Sequence, residues 1–163
     1  SDFDPRRDAR RRHYRYVIDT RDARPALGRE RVWHVPAALD VEEMHAALQA
    51  VLGQHDFAAF ASRLEDEGAS TVRELYCASA TRSGAVVRID LEANAFLAHQ
   101  VRRMTGVLVE VGKERLGVAE YAALLDGPPG SAGSVAPACG LYLMRVDYAK
   151  PLFKSLDSER VVW

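Results

Sequence analysis

From Phe96 to about Arg115 the apolar residues Leu97, Val101, Met104, Leu108 and Val111 recur every three or four positions. That period predicts one long amphipathic helix, whose stripe must be buried against another element. The flanking patterns supply a sheet. Thr71 to Thr81 is rich in β-formers, Ser83-Gly84 is a turn signal, and Ala85 to Leu91 resumes the strand pattern, so a hairpin precedes the helix. A shorter helix is expected over Val118 to Leu125, then a loop over the glycine- and proline-rich residues 127 to 133, then an alternating strand from Leu141 to Tyr148. Upstream, His13 to Ile18 alternates bulky and polar residues with Tyr14 and Tyr16 on one face, and Pro25 and Gly28 break that strand. Asp40, with Glu43 three residues on, has capping-box spacing and opens a helix expected over about 41 to 52. The order strand, helix, strand, strand, helix, strand, with one extra helix before the last strand, predicts an α+β protein. It is the ferredoxin-like (split βαβ) order, an antiparallel sheet with helices on one face.

The chain has 163 residues, 48% of them hydrophobic and 28% charged, which suits a single domain over 1–163 with one core. Its 22 basic and 23 acidic side chains leave a net charge of -1, so any site for a polyanion must be local. One local concentration exists. Arg6, Arg7, Arg10, Arg11, Arg12 and Arg15 crowd the first fifteen residues against only Asp2, Asp4 and Asp8, so residues 1–10 read as a basic arm or linker. Residues 149–163 read as a polar tail. Cys77 and Cys139 show neither disulfide-framework nor metal-ligand spacing, which fits a reducing, cytoplasmic setting. No apolar run approaches the ~20 residues of a membrane span, so no membrane association is expected.

On an ideal helix His99, Arg102, Arg103 and Gly106 fall opposite the Leu97 stripe and form one polar face. Gly106 costs a helix roughly 1 kcal/mol relative to alanine, so its place one turn after Arg102 implies a close approach there, by a backbone or an RNA strand. A merely solvated face has the same pattern. The arginines before Tyr14 offer paired donors to phosphates, as a flexible charged arm also would. Tyr14 and Tyr16 either stack on a base or pack into the sheet. The loop at 127 to 133 lacks the Gly-Lys-Ser/Thr ending of a phosphate-binding loop, and His34, His45, His55 and His99 lack metal spacing. No nucleophilic serine or cysteine arrangement can be defended.

Four separated segments nevertheless resemble one family in order and spacing: Arg12-His13-Tyr14-Arg15-Tyr16, Leu52-Gly53-Gln54-His55-Asp56-Phe57 with Phe60, Asn94-Ala95-Phe96-Leu97 leading to His99-Gln100-Val101-Arg102, and Gly140-Leu141-Tyr142-Leu143. They resemble TruA-type tRNA pseudouridine synthases over about residues 3 to 148. The resemblance implies isomerisation of uridine to pseudouridine in the tRNA anticodon stem-loop, with no cofactor and no metal, by a homodimer. It implies an aspartate nucleophile, Tyr14 against the target base, and Arg102 paired with that aspartate. Arg10, Arg11, Arg12, His99 and Arg103 are then expected to bind RNA. The Gly-Arg-Thr-Asp-Ala-Gly-Val-His type motif that carries the aspartate is absent from these 163 residues. Thr20-Arg21-Asp22-Ala23 has the wrong order and lies after the tyrosine strand. The chain is therefore expected to be the carboxy-terminal part of a longer enzyme, supplying RNA binding and part of the active site and inactive alone. The alternative is an RRM-like RNA-binding module, whose sheet aromatics are missing from Val86-Val87-Arg88-Ile89-Asp90.

Overall fold

A computed structural model describes residues 3–62 and 68–149. In chain order it contains β1 (Ala9–Asp19), β2 (Trp33–His34), α1 (Val41–Gln49), β3 (Gly53–Asp56), β4 (Val72–Ser83), β5 (Val86–Ala93), α2 (Gln100–Gly112), α3 (Val118–Ala123) and β6 (Leu141–Tyr148). The sheet runs β3-β4-β5-β1, and the far edge of β1 is shared by β6 and β2. It is mixed, because β1 is antiparallel to β5 and β6 but parallel to the two-residue β2. The protein is thus of the α+β class, with both long helices packed against the sheet in one core.

Alternation along the strands sets the two faces. On β5, Val87, Ile89, Leu91 and Ala93 are buried while Arg88, Asp90 and Glu92 turn the other way. Tyr16 and Ile18 on β1 join the buried set together with Met44 and Leu48 of α1 and Met104 and Leu108 of α2. The apolar stripe of α2 is therefore the core face, as its period requires. The helices cross closely at Gly112, where a Cβ would stand 2.6 Å from the Met44 sulfur.

Asp40 caps α1, its Oδ1 accepting from the Glu43 amide at 3.0 Å. The other half of the capping box is diverted, since the Asp40 amide donates to the Gly112 carbonyl at 2.8 Å. Asp40→Ala is expected to cost about 1 kcal/mol and to lower Tm by about 2 to 4 °C, while Asp40→Asn stays close to wild type. Thermal unfolding of the three proteins followed by circular dichroism checks this, and equal melting of all three would remove the cap from the account.

Helix α1 also insulates the sheet. Beyond its pairing with β3, the outer edge of β4 has no strand partner among the described residues. Side chains take that place: Gln49 Nε2 donates to the Ala78 carbonyl at 2.6 Å and the Ala80 amide donates to His45 Nδ1 at 3.3 Å.

Three expectations shift. Helix α1 ends at Gln49 rather than 52, because the Val51 and Leu52 amides bond three residues back, to Leu48 and Gln49, and close a tighter turn. Helix α2 begins at Gln100 rather than 96. His99 there is left-handed (φ 59°, ψ 10°), and Gln100 Oε1 accepts from the Leu97 amide at 2.8 Å, so Phe96 to His99 form the turn that launches the helix. Strand β1 begins at Ala9 rather than His13, so Arg10, Arg11 and Arg12 are strand residues with fixed faces. Ahead of them Asp4 Oδ1 accepts from the Arg6 and Arg7 amides and closes a turn. The tail expected from 149 onward lies, from residue 150, outside the described residues.

Candidate functional site

The parity of β1 sorts the arginines that the sequence presents as one run. Arg11, His13 and Arg15 turn away from the helices into an ion-pair ladder: Arg11 reaches Glu92 at 2.6 Å, His13 Nε2 and Arg15 Nε meet Asp90 Oδ1 at 2.7 and 2.9 Å, and Arg145 meets Glu92 at 3.0 Å. Arg11 also lies 4.5 Å above the Tyr76 ring. Arg12 shares the helix-side parity of Tyr14 and Tyr16. Its Nη1 donates to the Asn94 carbonyl at 2.8 Å and its Nη2 to the Arg6 carbonyl. Arg10 is exposed and its side chain makes no hydrogen bond among the described residues. The run is thus three cations in three environments, and only Arg12 lies on the tyrosine side with its donors held in place.

Tyr16 is wholly buried, and its hydroxyl donates to the Pro137 carbonyl at 2.5 Å. Burial raises the phenol far above its ordinary value, so it stays a donor. Tyr14, one turn of the pleat away, is half-buried at the margin of the core with its ring edge-on to Phe96 at 5.4 Å. Its hydroxyl has no hydrogen-bond partner among the described residues. Phe96 is held there because Asn94 Oδ1 accepts from the Glu74 and Ala95 amides at 2.9 and 2.8 Å, tying the end of β5 to β4.

The polar face of α2 is not left to solvent. Arg103 Nη1 donates to the Gly130 and Gly133 carbonyls, both at 2.7 Å, drawing the loop after α3 across the helix. Arg102 holds the next stretch twice: its Nε donates to the Ala136 carbonyl at 2.7 Å, and the Ala136 amide donates back to the Arg102 carbonyl at 3.0 Å. Between them a Cβ at Gly106 would collide with the Ser134 carbonyl oxygen. The close approach implied by that glycine is made by the protein's own backbone. His99, exposed at the helix start, shares Ser62 Oγ with Arg103, Nδ1 at 2.9 Å and Nη2 at 3.3 Å.

Arg102 keeps its two Nη groups without a carboxylate or any other partner among the described residues. A guanidinium fixed along its Nε edge, with the fork left open, offers donors to a planar anion. Nothing in the sequence distinguishes Arg73, on the helix-side parity of Leu75, from any strand arginine. It too lacks a carboxylate among the described residues. Its Nη1 donates to the Ser70 and Val72 carbonyls at 2.7 and 2.8 Å and its Nε is buried without a partner. Burial and, secondarily, the charge of Arg12 push its pKa down, so two like charges share this end of the sheet. The Thr20-Ala23 stretch, by contrast, lies past the other end of β1, where Arg21 pairs with Asp19.

A mixed sheet backed by two helices, with a tyrosine, an arginine fork and two further cations on the helix side that have no carboxylate partner among the described residues, defines an α+β protein equipped to hold anions beside an aromatic ring. Comparison with known proteins narrows this. Residues 47–149 match the family model described as tRNA pseudouridine synthase. Relatives named tRNA pseudouridine synthase A include those of Methylobacterium sp. (strain 4-46), 47% identical over 92% of this chain, and Azorhizobium caulinodans, 42% identical over 98%. That of Roseiflexus sp. (strain RS-1) is 43% identical over 90% of the chain. The chain belongs to the tRNA pseudouridine synthase family. It spans 60%, 62% and 55% of those three relatives' own lengths.

Proposed function

We propose that this chain is the tyrosine- and arginine-bearing, carboxy-terminal part of an enzyme that converts uridine to pseudouridine in the anticodon stem-loop of tRNA. The observation that carries the reading is the fork of Arg102 on the tyrosine side of the sheet, left without a carboxylate among the described residues. The missing partner is the aspartate that the resemblance implies, and no motif in these residues carries it. In the reaction the aspartate attacks the uridine, the base detaches, turns and rejoins through carbon. Arg102 keeps that carboxylate ionised and aimed, because a fixed cation favours the charged form of an acid beside it. Tyr14 lies against the base. The chemistry requires neither cofactor nor metal.

Arg10 and Arg12, with Arg73, take phosphates. Arg11 contributes from the opposite face, and His99 and Arg103 form the rim around Ser62. The strand order β6-β1-β5-β4, with α1 and α2 as its two crossovers, supports a single ferredoxin-like domain to which β2 and β3 are additions. A cytoplasmic homodimer holding one tRNA across both copies is the setting that the resemblance implies.

The chain alone is expected to form no pseudouridine and to gain the activity when the aspartate-bearing part of a relative is supplied in trans or by fusion. Pseudouridine in tRNA treated with the chain alone would overturn the role given to the absent aspartate. An inert combination that still binds tRNA would favour the pure binding module instead.

A further inference from the structure

Four contacts converge on one short segment. The Ser134 carbonyl lies on α2 at Gly106, where a side chain would collide with it. The Ala136 peptide is bonded from both sides by Arg102, through the side-chain Nε at 2.7 Å and the main-chain carbonyl at 3.0 Å. The Pro137 carbonyl accepts the buried Tyr16 hydroxyl at 2.5 Å. Gly140 admits the Tyr16 ring, which a Cβ there would meet at 2.6 Å. Such an investment in 134 to 140 exceeds what closing a loop requires: the contacts at Ser134, Pro137 and Gly140 hold the segment in place, and Ala136 between them meets the Nε edge of the Arg102 guanidinium. A guanidinium is planar, so fixing Nε–H fixes the plane and aims the Nη fork.

We infer that the segment Ser134–Pro137 is a strap that orients Arg102, with Tyr16 and Gly106 as positioning residues for the reaction although neither touches the reacting atoms. The inference rests on the proposed role of Arg102 and adds what holds that residue to its task. Tyr16 anchors the strap from the sheet and Gly106 sets its height above α2, so the fork is aimed by the sheet and the helix together. Loosening either contact leaves the charge of Arg102 in place and spoils only its direction. The loss should therefore fall on rate and spare RNA affinity, since misplacement by about 1 Å costs on the order of 10²-fold in a reaction governed by orientation.

The test pairs two readouts. In the 163-residue chain labelled with ¹⁵N-arginine, the Arg102 Nε–H resonance reports its bond to Ala136 through solvent exchange, independently of activity. In the protein completed with a relative's aspartate-bearing part, single-turnover rate and tRNA affinity are measured side by side. Tyr16→Phe keeps the buried ring and removes one hydroxyl; it should speed Nε–H exchange and slow turnover about tenfold, with affinity within about twofold. Gly106→Ala should do the same more strongly, on the order of 10²-fold. Unchanged exchange in both variants, an exposed Nε–H with undiminished rate, or an equal loss of affinity and rate would each overturn the strap. Arg102→Ala separates this from the underlying reading: a wild-type rate there overturns the role of Arg102 itself, whereas an inactive Arg102→Ala beside fully active strap variants removes the strap alone.

Discussion

Arg102→Ala, in the protein completed with the aspartate-bearing part, is expected to lose about 10² to 10⁴ in single-turnover rate with tRNA affinity changed by no more than a few fold. Leaving the paired carboxylate without its cation costs roughly 3 to 5 kcal/mol, and tenfold in rate corresponds to about 1.4 kcal/mol. Lysine should restore only part, because a point charge cannot donate along Nε to Ala136 and present a fork at the same time. The contrast is a double variant of Arg10 and Arg12, which should weaken binding to every tRNA and flatten its salt dependence by about one unit of slope per lost phosphate contact, with rate at saturation preserved. Binding titrations against salt and single-turnover assays on both variants decide the matter. If both lose affinity alike and neither selectively loses rate, Arg102 is one more member of a basic surface.

Tyr14→Phe is expected to cut turnover by about 10² to 10³, the cost of removing one hydrogen-bond donor placed against the reacting base, while affinity stays within a few fold. The substitution is clean because the ring's edge-on contact with Phe96 remains and the lost hydroxyl has no partner among the described residues to leave unsatisfied. A simple packing role would give the opposite pattern: full turnover, since the apolar part of the side chain is unaltered. Turnover of the variant at saturating tRNA, set beside its thermal midpoint, separates the two.

How much of this was legible in the sequence depended on whether local pattern or distant pairing determined each part. Strand β6 falls on the expected residues, Leu141 to Tyr148, because alternation and a preceding glycine-proline loop both mark it. The apolar period places helix α2 but starts it four residues early. Leu97 continues the apolar stripe although it belongs to the launching turn, and a period cannot see that His99 takes a left-handed conformation. Strand β3 is the polar Gly53-Gln54-His55-Asp56, whose extended form is imposed by pairing with β4 rather than by its own residues. In the site, Gly106 announced a close approach without disclosing what approaches, since composition marks 127 to 133 as a loop and says nothing of where the following residues dock. Arg102 and Tyr14 entered through the family's motifs. Arg73 is an ordinary strand residue in the sequence, and only the fold sets it near Arg12.

The side chains of Gln49 and His45 that close the outer edge of β4 belong to a helix of nine residues, and that economy ties two hazards together. If α1 frays, the Ala78 carbonyl and the Ala80 amide lose their partners at the moment when the apolar surface beneath Met44 and Leu48 is uncovered. An open strand edge beside a bare hydrophobic face is what templates aggregation and recruits chaperones. Keeping this edge closed is therefore a task of the local stability of α1 and not of the strand pairing alone.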